Sequence, residues 1–223
     1  MCILSLFKQK DKFILTFNRD EQLNRASEFP KWIDASVFCP IDSLKGGTWI
    51  GYNGKSLYCL QNGGLEPHIR DTNYTISRGL MLINVLKNEK FDLYQAIKDQ
   101  HVEPFTITQF QIENESLISS IYNGHELNKI EIPFNEPYIN CSSTLYNSFA
   151  KEKIKDYFIA KSRIDFDEND ILNWHKNMMI GAECNHYTNK VNTVSICQFV
   201  ISNDSVECSF FDVKDSVLKR YIV

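Results

Sequence analysis

The chain has 223 residues, of which 43% are hydrophobic and 23% are charged, and its net charge is −4. This composition favours one folded domain over residues 1–223 and argues against a disordered chain. There is no basic excess for a nucleic-acid partner and no run near the roughly 18 apolar residues that span a bilayer, so we expect a cytoplasmic protein with no membrane span.

The first third of the chain predicts β-strands joined as hairpins. Two apolar runs, Cys2–Phe7 and Phe13–Phe17, are separated by a short polar turn. Farther along, Thr48–Tyr52 and Leu57–Leu60 flank the pair Asn53-Gly54. Asn-Gly is a strong hairpin signal because both residues accept the positive φ of a tight turn.

Helical spacing marks the middle of the chain. Ile76, Leu80, Ile83 and Leu86 recur every three or four residues, and Asp92 is placed to cap a second helix. A second Asn-Gly pair, at residues 123 and 124, then separates two strand-like runs and predicts another hairpin.

The last third predicts helices followed by strands. Asp167 or Asp170 would begin one helix, and the runs Thr193–Ile201 and Val206–Val213 predict strands. An earlier helix has a predicted inward face of Tyr146, Phe149, Ala150, Ile154, Tyr157 and Phe158. Blocks of hairpin strands alternating with blocks of helices favour an α+β fold of antiparallel sheet with layered helices.

Cys2 directly follows the initiator methionine, which is removed when the second side chain is small. The mature chain would then carry a thiol and a free α-amine on one residue. An α-amine, with an ordinary pKa of about 7.7–8.0, acts as a base near neutrality, and a nucleophile with its own base suits acyl transfer. The alternative is a small apolar side chain that fills a strand.

The second predicted strand runs into Asn18-Arg19-Asp20-Glu21. If it pairs with the first strand as a hairpin, these polar residues emerge beside Cys2. Arg19 would then favour the thiolate, because a nearby cation lowers the pKa of a cysteine, and Asp20 would orient the α-amine. The alternative is a charged turn that ends a strand.

Asn62 ends another apolar strand and precedes the pair Gly63-Gly64. From that position its amide N–H would reach into a site and stabilise a developing oxyanion. Asn-Gly-Gly is also an ordinary turn sequence, and that alternative stays open.

Taken in order, these residues resemble a known family. After Met-Cys and Asn-Arg-Asp-Glu, the chain has Gly-Gly-Thr-Trp-x-Gly at 46–51, Ser-Arg-Gly at 77–79 and Thr-Val-Ser at 193–195. This ordered set resembles the NRDE family, also called transport and Golgi organisation 2, which is grouped with the N-terminal nucleophile hydrolases near choloylglycine hydrolase and penicillin V acylase. The resemblance implies a four-layer αββα sandwich, with two antiparallel sheets between helical layers.

Carried over residue by residue, the resemblance makes Cys2 the nucleophile and puts Arg19 and Asp20 beside it. Asn62 takes the place of the first oxyanion-stabilising asparagine, and Asn140 is the candidate for the second. The late arginine of the related acylases has no match in this chain, so their substrates are not transferred.

The leading interpretation is an N-terminal-cysteine amidohydrolase that cleaves a small linear or cyclic amide through an acyl-enzyme, with no metal and no cofactor. One alternative is a non-catalytic binding or carrier protein, for haem or acyl-lipid handling or in secretory organisation, that retains the hydrolase pocket. Another is a scaffold that acts through surface contacts alone.

The seven cysteines are scattered and form no Cys-x-x-Cys pair, so we expect mostly reduced, buried thiols. Cys184, His186 and His175 match no zinc signature, and we predict no metal site there. Cys39-Pro40 is the dipeptide of haem-regulatory motifs, and a loop cysteine before proline is its alternative interpretation.

Overall fold

The structure is a computed structural model that describes residues 2–69, 71, 73–88, 90–133, 136–144, 146–162, 166–180 and 191–223. Within those residues the strands are β1 (Cys2–Gln9), β2 (Lys12–Glu21), β3 (Ser27–Trp32), β4 (Phe38–Asp42), β5 (Ile50–Tyr52), β6 (Ser56–Asn62), β7 (Phe105–Gln111), β8 (Ser116–Tyr122), β9 (Leu127–Ile132), β10 (Tyr138–Cys141), β11 (Asn192–Ile201), β12 (Val206–Asp212) and β13 (Val217–Ile222). The helices are α1 (Arg78–Lys87), α2 (Leu93–Asp99), α3 (Ser148–Ser162) and α4 (Glu168–Ile180).

The described strands form two antiparallel sheets. One has the order β10-β1-β2-β11-β12-β13 and the other β3-β4-β5-β6-β7-β8-β9. The chain divides accordingly into two compact units, residues 1–25 with 134–223 and residues 26–133. The α+β class predicted from the sequence is confirmed, while the single domain stays a prediction. Every helix in the described part of the chain is too short or too polar to cross a bilayer.

In the first unit, β1 and β2 form the predicted hairpin. Its register pairs Gln9 with Lys12 at the turn and Cys2 with Arg19 at the far end. The predicted strands left residues 8–12 for the turn. In the structure both strands extend further, so that the turn contains only Lys10 and Asp11, and Lys10 has φ 54°. The prediction that the polar end of the second strand emerges beside Cys2 is therefore confirmed.

Helices α3 and α4 pack on one face of this sheet. Ile154, Phe158 and Trp174 join Ile3 and Cys141 in one buried apolar cluster. Helix α4 begins directly after Asp167, whose carboxylate accepts the backbone N–H groups of the next turn at 2.8 and 2.9 Å. This is the first of the two starting points that the sequence allowed.

The predicted inward face of α3 is partly wrong. The buried residues of this helix are Ala150, Ile154 and Phe158. Phe149 and Tyr157 are instead 59% and 52% exposed. Lys153 lies 4.4 Å from the ring centroid of Phe149, and Lys161 lies 5.6 Å from that of Tyr157. The helix face that meets the sheet therefore begins with the small residue Ala150. The rings of Phe149 and Tyr157 lie outside the core, where lysine side chains pack over them.

Both Asn-Gly hairpins of the second unit are confirmed. Only the glycine of each pair has a positive φ, 87° at Gly54 and 105° at Gly124, and each asparagine is instead the first residue of its turn. The Asn53 side-chain oxygen accepts the backbone N–H of Ser56 at 2.9 Å, and that of Asn123 accepts the N–H of Glu126 at 3.0 Å. Strands β3, β4, β7, β10 and β13 were not predicted, because they lack such turn signals or a clear alternation.

Helix α1 is oriented by a close contact between two glycines. A Cβ on Gly47 would lie 2.7 Å from the carbonyl carbon of Gly79, and the Thr48 N–H donates to the Gly79 carbonyl at 3.1 Å. Gly79, Leu82 and Leu86 lie on one face of the helix. Because Gly79 contacts Gly47, this face of α1 is directed toward the sheet. Leu80, predicted to face inward, is 41% exposed for this reason.

We expect Gly47→Ala to destabilise the fold. The added methyl group meets backbone atoms that cannot rotate away, and overpacking of this kind costs about 1–3 kcal/mol. Ser77→Ala is the matched control, because Ser77 precedes α1 without making a side-chain cap hydrogen bond. Urea denaturation of both variants checks this, and equal midpoints for the parent and Gly47→Ala would show that the two backbones can separate without cost.

Candidate functional site

Cys2 begins β1 in a buried position and is 3% exposed. Its carbonyl accepts the backbone N–H of Ser142 at 3.0 Å, and its backbone nitrogen donates to the Ser142 hydroxyl oxygen at 3.4 Å. Cys2 shares a face of the sheet with Leu4, because alternate residues of a strand point the same way. Ser142, in the segment after β10, therefore holds both backbone groups of Cys2.

Arg19 lies directly opposite Cys2 and is 4% exposed. Its Nη1 donates to the carbonyl of Arg25 at 2.8 Å. Arg25 in turn forms an ion pair with Glu21, with 2.5 Å between Nη1 and Oε2. The charged end of β2 is thus an ordered network beside Cys2 and not a solvated turn.

Burial raises the pKa of the Cys2 thiol above its ordinary value. The positive charge at the amino terminus lowers it, the charge of Asp20 raises it, and the Asp20 backbone N–H lowers it. Burial outweighs the groups that favour the thiolate, because the charged form loses its hydration. The effect of Arg19 on the thiol stays a prediction.

Asp20 is a buried carboxyl group whose two oxygens each accept a hydroxyl hydrogen bond. Thr193 donates to Oδ1 at 2.5 Å, and Tyr146 donates to Oδ2 at 3.2 Å. Burial raises the pKa of Asp20 to about 6, although these two hydrogen bonds favour the carboxylate. The group therefore titrates close to neutral pH.

A β-bulge places Thr193. Thr193 pairs with Asp20 and Ser195 with Arg19, so that Val194 is an extra residue in β11. A bulge of this kind changes the direction of the neighbouring side chains. The Thr-Val-Ser segment noted in the sequence is thus the point at which β11 supplies a donor to the end of β2.

Asn18 anchors helix α4 through His175. The His175 Nδ1 lies 2.7 Å from the Asn18 side-chain oxygen, and the Asn18 amide donates to the His175 carbonyl at 3.0 Å. The amide oxygen only accepts, so Nδ1 carries the proton and Nε2 accepts from the Ser5 hydroxyl at 2.7 Å. Burial lowers the pKa of His175 to about 3, which keeps the ring neutral.

The other cysteine and histidine predictions have varied outcomes. His175 is engaged in the anchor just described, whereas Cys184 and His186 lie outside the described residues. The cysteines that the structure describes are all buried thiols, as predicted. Cys39 is fully buried within β4, so the interpretation of it as a loop cysteine is wrong.

The two candidate oxyanion asparagines lie in different units. Asn140, on β10, pairs with Leu4 and therefore shares the face of the sheet on which Cys2 lies. Asn62 ends β6 opposite Phe105 and is half-buried. The structure therefore brings Cys2, Arg19, Asp20 and Asn140 onto neighbouring strands, and the contribution of Asn62 stays a prediction.

Sequence reasoning missed the hydroxyl and amide groups around these residues. Ser142, Tyr146 and Thr193 contact Cys2 or Asp20 from distant parts of the chain. The sequence pattern places Tyr146 only in the core beside a helix. The sequence weakly indicated a partner for Asn18, because burying an amide at the end of an apolar strand costs free energy unless the amide is hydrogen-bonded.

A family model described as Transport and Golgi organisation 2 matches residues 1–192. The match includes Cys2, the end of β2 and Ser142, and it stops one residue before Thr193. No curated protein matches the chain.

Asp20 and His175 predict opposite pH dependences for the free energy of unfolding. His175 has a folded pKa of about 3 and an ordinary value of about 6.5, so the unfolded chain binds the extra proton and stability falls as pH drops between them. Asp20 has a folded pKa of about 6 and an ordinary value of about 3.9, so the folded chain binds the extra proton and stability falls as pH rises between them. From about pH 4 to 6 these contributions cancel.

Asp20→Asn should therefore make stability more dependent on pH. Without the opposing Asp20 contribution, we expect the free energy of unfolding to rise from pH 4 to 6 by about 1 kcal/mol per pH unit more than in the parent. Urea denaturation across this range measures the slope. Asp204→Asn, at an exposed acid, is the control, and parallel curves for the parent and Asp20→Asn would contradict the raised pKa of Asp20.

Proposed function

The chain belongs to the Transport and Golgi organisation 2 family, and from that premise we propose that it is an N-terminal-cysteine amidohydrolase. In this proposal Met1 is removed and Cys2 cleaves the C–N bond of a small linear or cyclic amide. The reaction proceeds through an acyl-enzyme and uses no metal or cofactor.

One observation carries the proposal: buried polar and ionic groups surround the first residue of β1. Arg19 lies opposite Cys2, Asp20 follows it, and the Cys2 nitrogen contacts the Ser142 hydroxyl. Arg19 and Asp20 are 4% and 5% exposed. Burying such groups costs free energy unless they are paired, and a cysteine that only fills space needs none of them.

The raised thiol pKa fits a nucleophile that carries its own base. In the mature chain, the α-amine of Cys2 accepts the thiol proton as Sγ attacks the amide carbonyl carbon. The tetrahedral intermediate then loses the amine, which takes the proton back from the α-ammonium as the C–N bond breaks. Water, deprotonated by the same α-amine, attacks the thioester carbonyl, releases the acid and restores the thiol.

The other predicted site residues have supporting roles. Arg19 supplies a fixed positive charge opposite Cys2, and Asp20 orients the α-ammonium. Asn140 and Asn62 donate to the oxyanion, as the family resemblance implies. The αββα layering of the sheets and helices is part of the same proposal.

The first test is the covalent state of Cys2. We expect native protein to lack Met1 and to gain one acyl group when incubated with activated esters, amides and lactones. Intact-mass spectrometry and peptide mapping should place that group on Cys2. A chain that retains Met1 has an amide nitrogen at this position and should not react.

Cys141→Ser is the matched control, because Cys141 is also a buried thiol at the end of a neighbouring strand. It should acylate like the parent, whereas Cys2→Ala should not acylate at all. Quantitative retention of Met1, or acylation of another cysteine first, would contradict the mechanism. A haem absorbance shift without any adduct would support the carrier interpretation.

Asn62→Asp tests the oxyanion role. Loss of one preset donor typically slows acyl transfer about 100- to 1,000-fold, and a carboxylate would also repel the developing charge. We expect this loss in the rate of Cys2 acylation per folded molecule, with Asn128→Asp on the exposed strand β9 as the control. A parent-like rate with a lower melting temperature would make Asn62 a turn residue only.

A further inference from the structure

We propose that Tyr146 and Thr193 are positioning residues that hold Asp20 as an oriented carboxylate beside Cys2. This role rests on the proposed function, in which Asp20 orients the α-ammonium. It adds two residues to which neither the sequence nor the family resemblance assigned a role. Thr193 lies just beyond the residues that the family model matches.

Tyr146 and Thr193 donate to different oxygens of the same carboxyl group, at 3.2 and 2.5 Å. A carboxylate accepts at both oxygens, whereas a protonated acid must use one oxygen as a donor. Two hydroxyl donors therefore favour the ionised form and restrict rotation of the group.

Tyr146 can act only as a donor to Asp20. Burial raises the pKa of its phenol well above the usual range, and the charge of Asp20 raises it further. The phenol therefore stays protonated at every pH at which Asp20 titrates. Tyr146 is 7% exposed, so water does not compete freely for its hydroxyl group.

Separate contacts place the two hydroxyl donors. The Tyr146 backbone N–H donates to the carbonyl of Ser142 at 3.3 Å, and Ser142 is the residue that holds both backbone groups of Cys2. Thr193 is placed by the bulge at Val194. Tyr146 is thus tied to Cys2 through Ser142, and Thr193 is tied to Asp20 through the pairing of β11 with β2.

Several charged or titratable groups act on Asp20. Glu21, next in the same strand, raises its pKa, and the positive charge at the amino terminus lowers it. Cys2, on the neighbouring strand, interacts with Asp20 electrostatically. Burial is the largest influence and raises the pKa of Asp20 to about 6. The hydroxyl donors oppose this increase, and their loss should therefore raise the pKa further.

The opposing interpretation is that Tyr146 is a packing residue. It belongs to the apolar cluster that contains Ile154 and Phe158. On that interpretation Tyr146→Phe keeps the volume and leaves the titration of Asp20 unchanged. The titration midpoint of Asp20 therefore separates the two interpretations, whereas stability alone does not.

The experiment follows the ¹³C carboxyl signal of Asp20 against pH in protein labelled at aspartate, with the signal assigned by Asp20→Asn. Tyr146→Phe and Thr193→Val should each raise the midpoint by about one pH unit, because a hydrogen bond to a charged group is lost. Thr193→Ser keeps the donor and should restore the parent midpoint. Tyr157→Phe, at an exposed tyrosine of α3, should change nothing.

An unchanged Asp20 midpoint in both Tyr146→Phe and Thr193→Val would overturn the inference. The rate of Cys2 acylation by an activated ester should be measured against pH in the same variants. The pH at which this rate falls on the acid side should shift together with the titration midpoint of Asp20. If the parent forms no adduct, the proposed function fails, and the carboxyl titration still decides the role of Tyr146 and Thr193. If the parent reacts and the midpoints do not move, only this inference fails.

Discussion

The register of the β1–β2 hairpin is the constraint on which the candidate site depends. It places Cys2 opposite Arg19 and leaves Asp20 to pair with Thr193 on β11. A slip of one residue would turn each side chain of a strand to the other face of the sheet. Asn18 opposes such a slip, because its buried amide would then lose both of its hydrogen bonds to His175.

Successive residues at the end of β2 consequently have different physical tasks. Asn18 binds helix α4 on one face, Arg19 lies opposite Cys2, and Asp20 accepts the two hydroxyl groups. Glu21 holds Arg25, whose carbonyl in turn fixes the Arg19 guanidinium. An uninterrupted run of four polar residues thus combines one anchoring residue with groups to which the proposed reaction assigns roles. Its occurrence as a motif does not by itself identify which residue has which task.

Burial is the main influence on the ionisable groups of this region. It raises the pKa of Cys2 and Asp20 and lowers that of His175, because in each case the neutral form is easier to bury. A neutral thiol needs a base when it attacks, which is why a free α-amine on the same residue is central to the proposed chemistry. Outside this region, Gly47 and Gly79 show that other parts of the family pattern serve packing, since their backbones meet too closely for a side chain.

The sequence by itself determined the features that depend on near neighbours in the chain: the hairpin beginning at Cys2, both Asn-Gly turns and the α+β order of the elements. The tertiary structure alone decided which row of α3 meets the sheet and which groups surround Asp20. Tyr146 and Thr193 are separated from Asp20 by 126 and 173 positions. Turn geometry and alternation are properties of adjacent residues, whereas contacts at such separations, and the burial that shifts each pKa, arise only when distant strands and helices pack together.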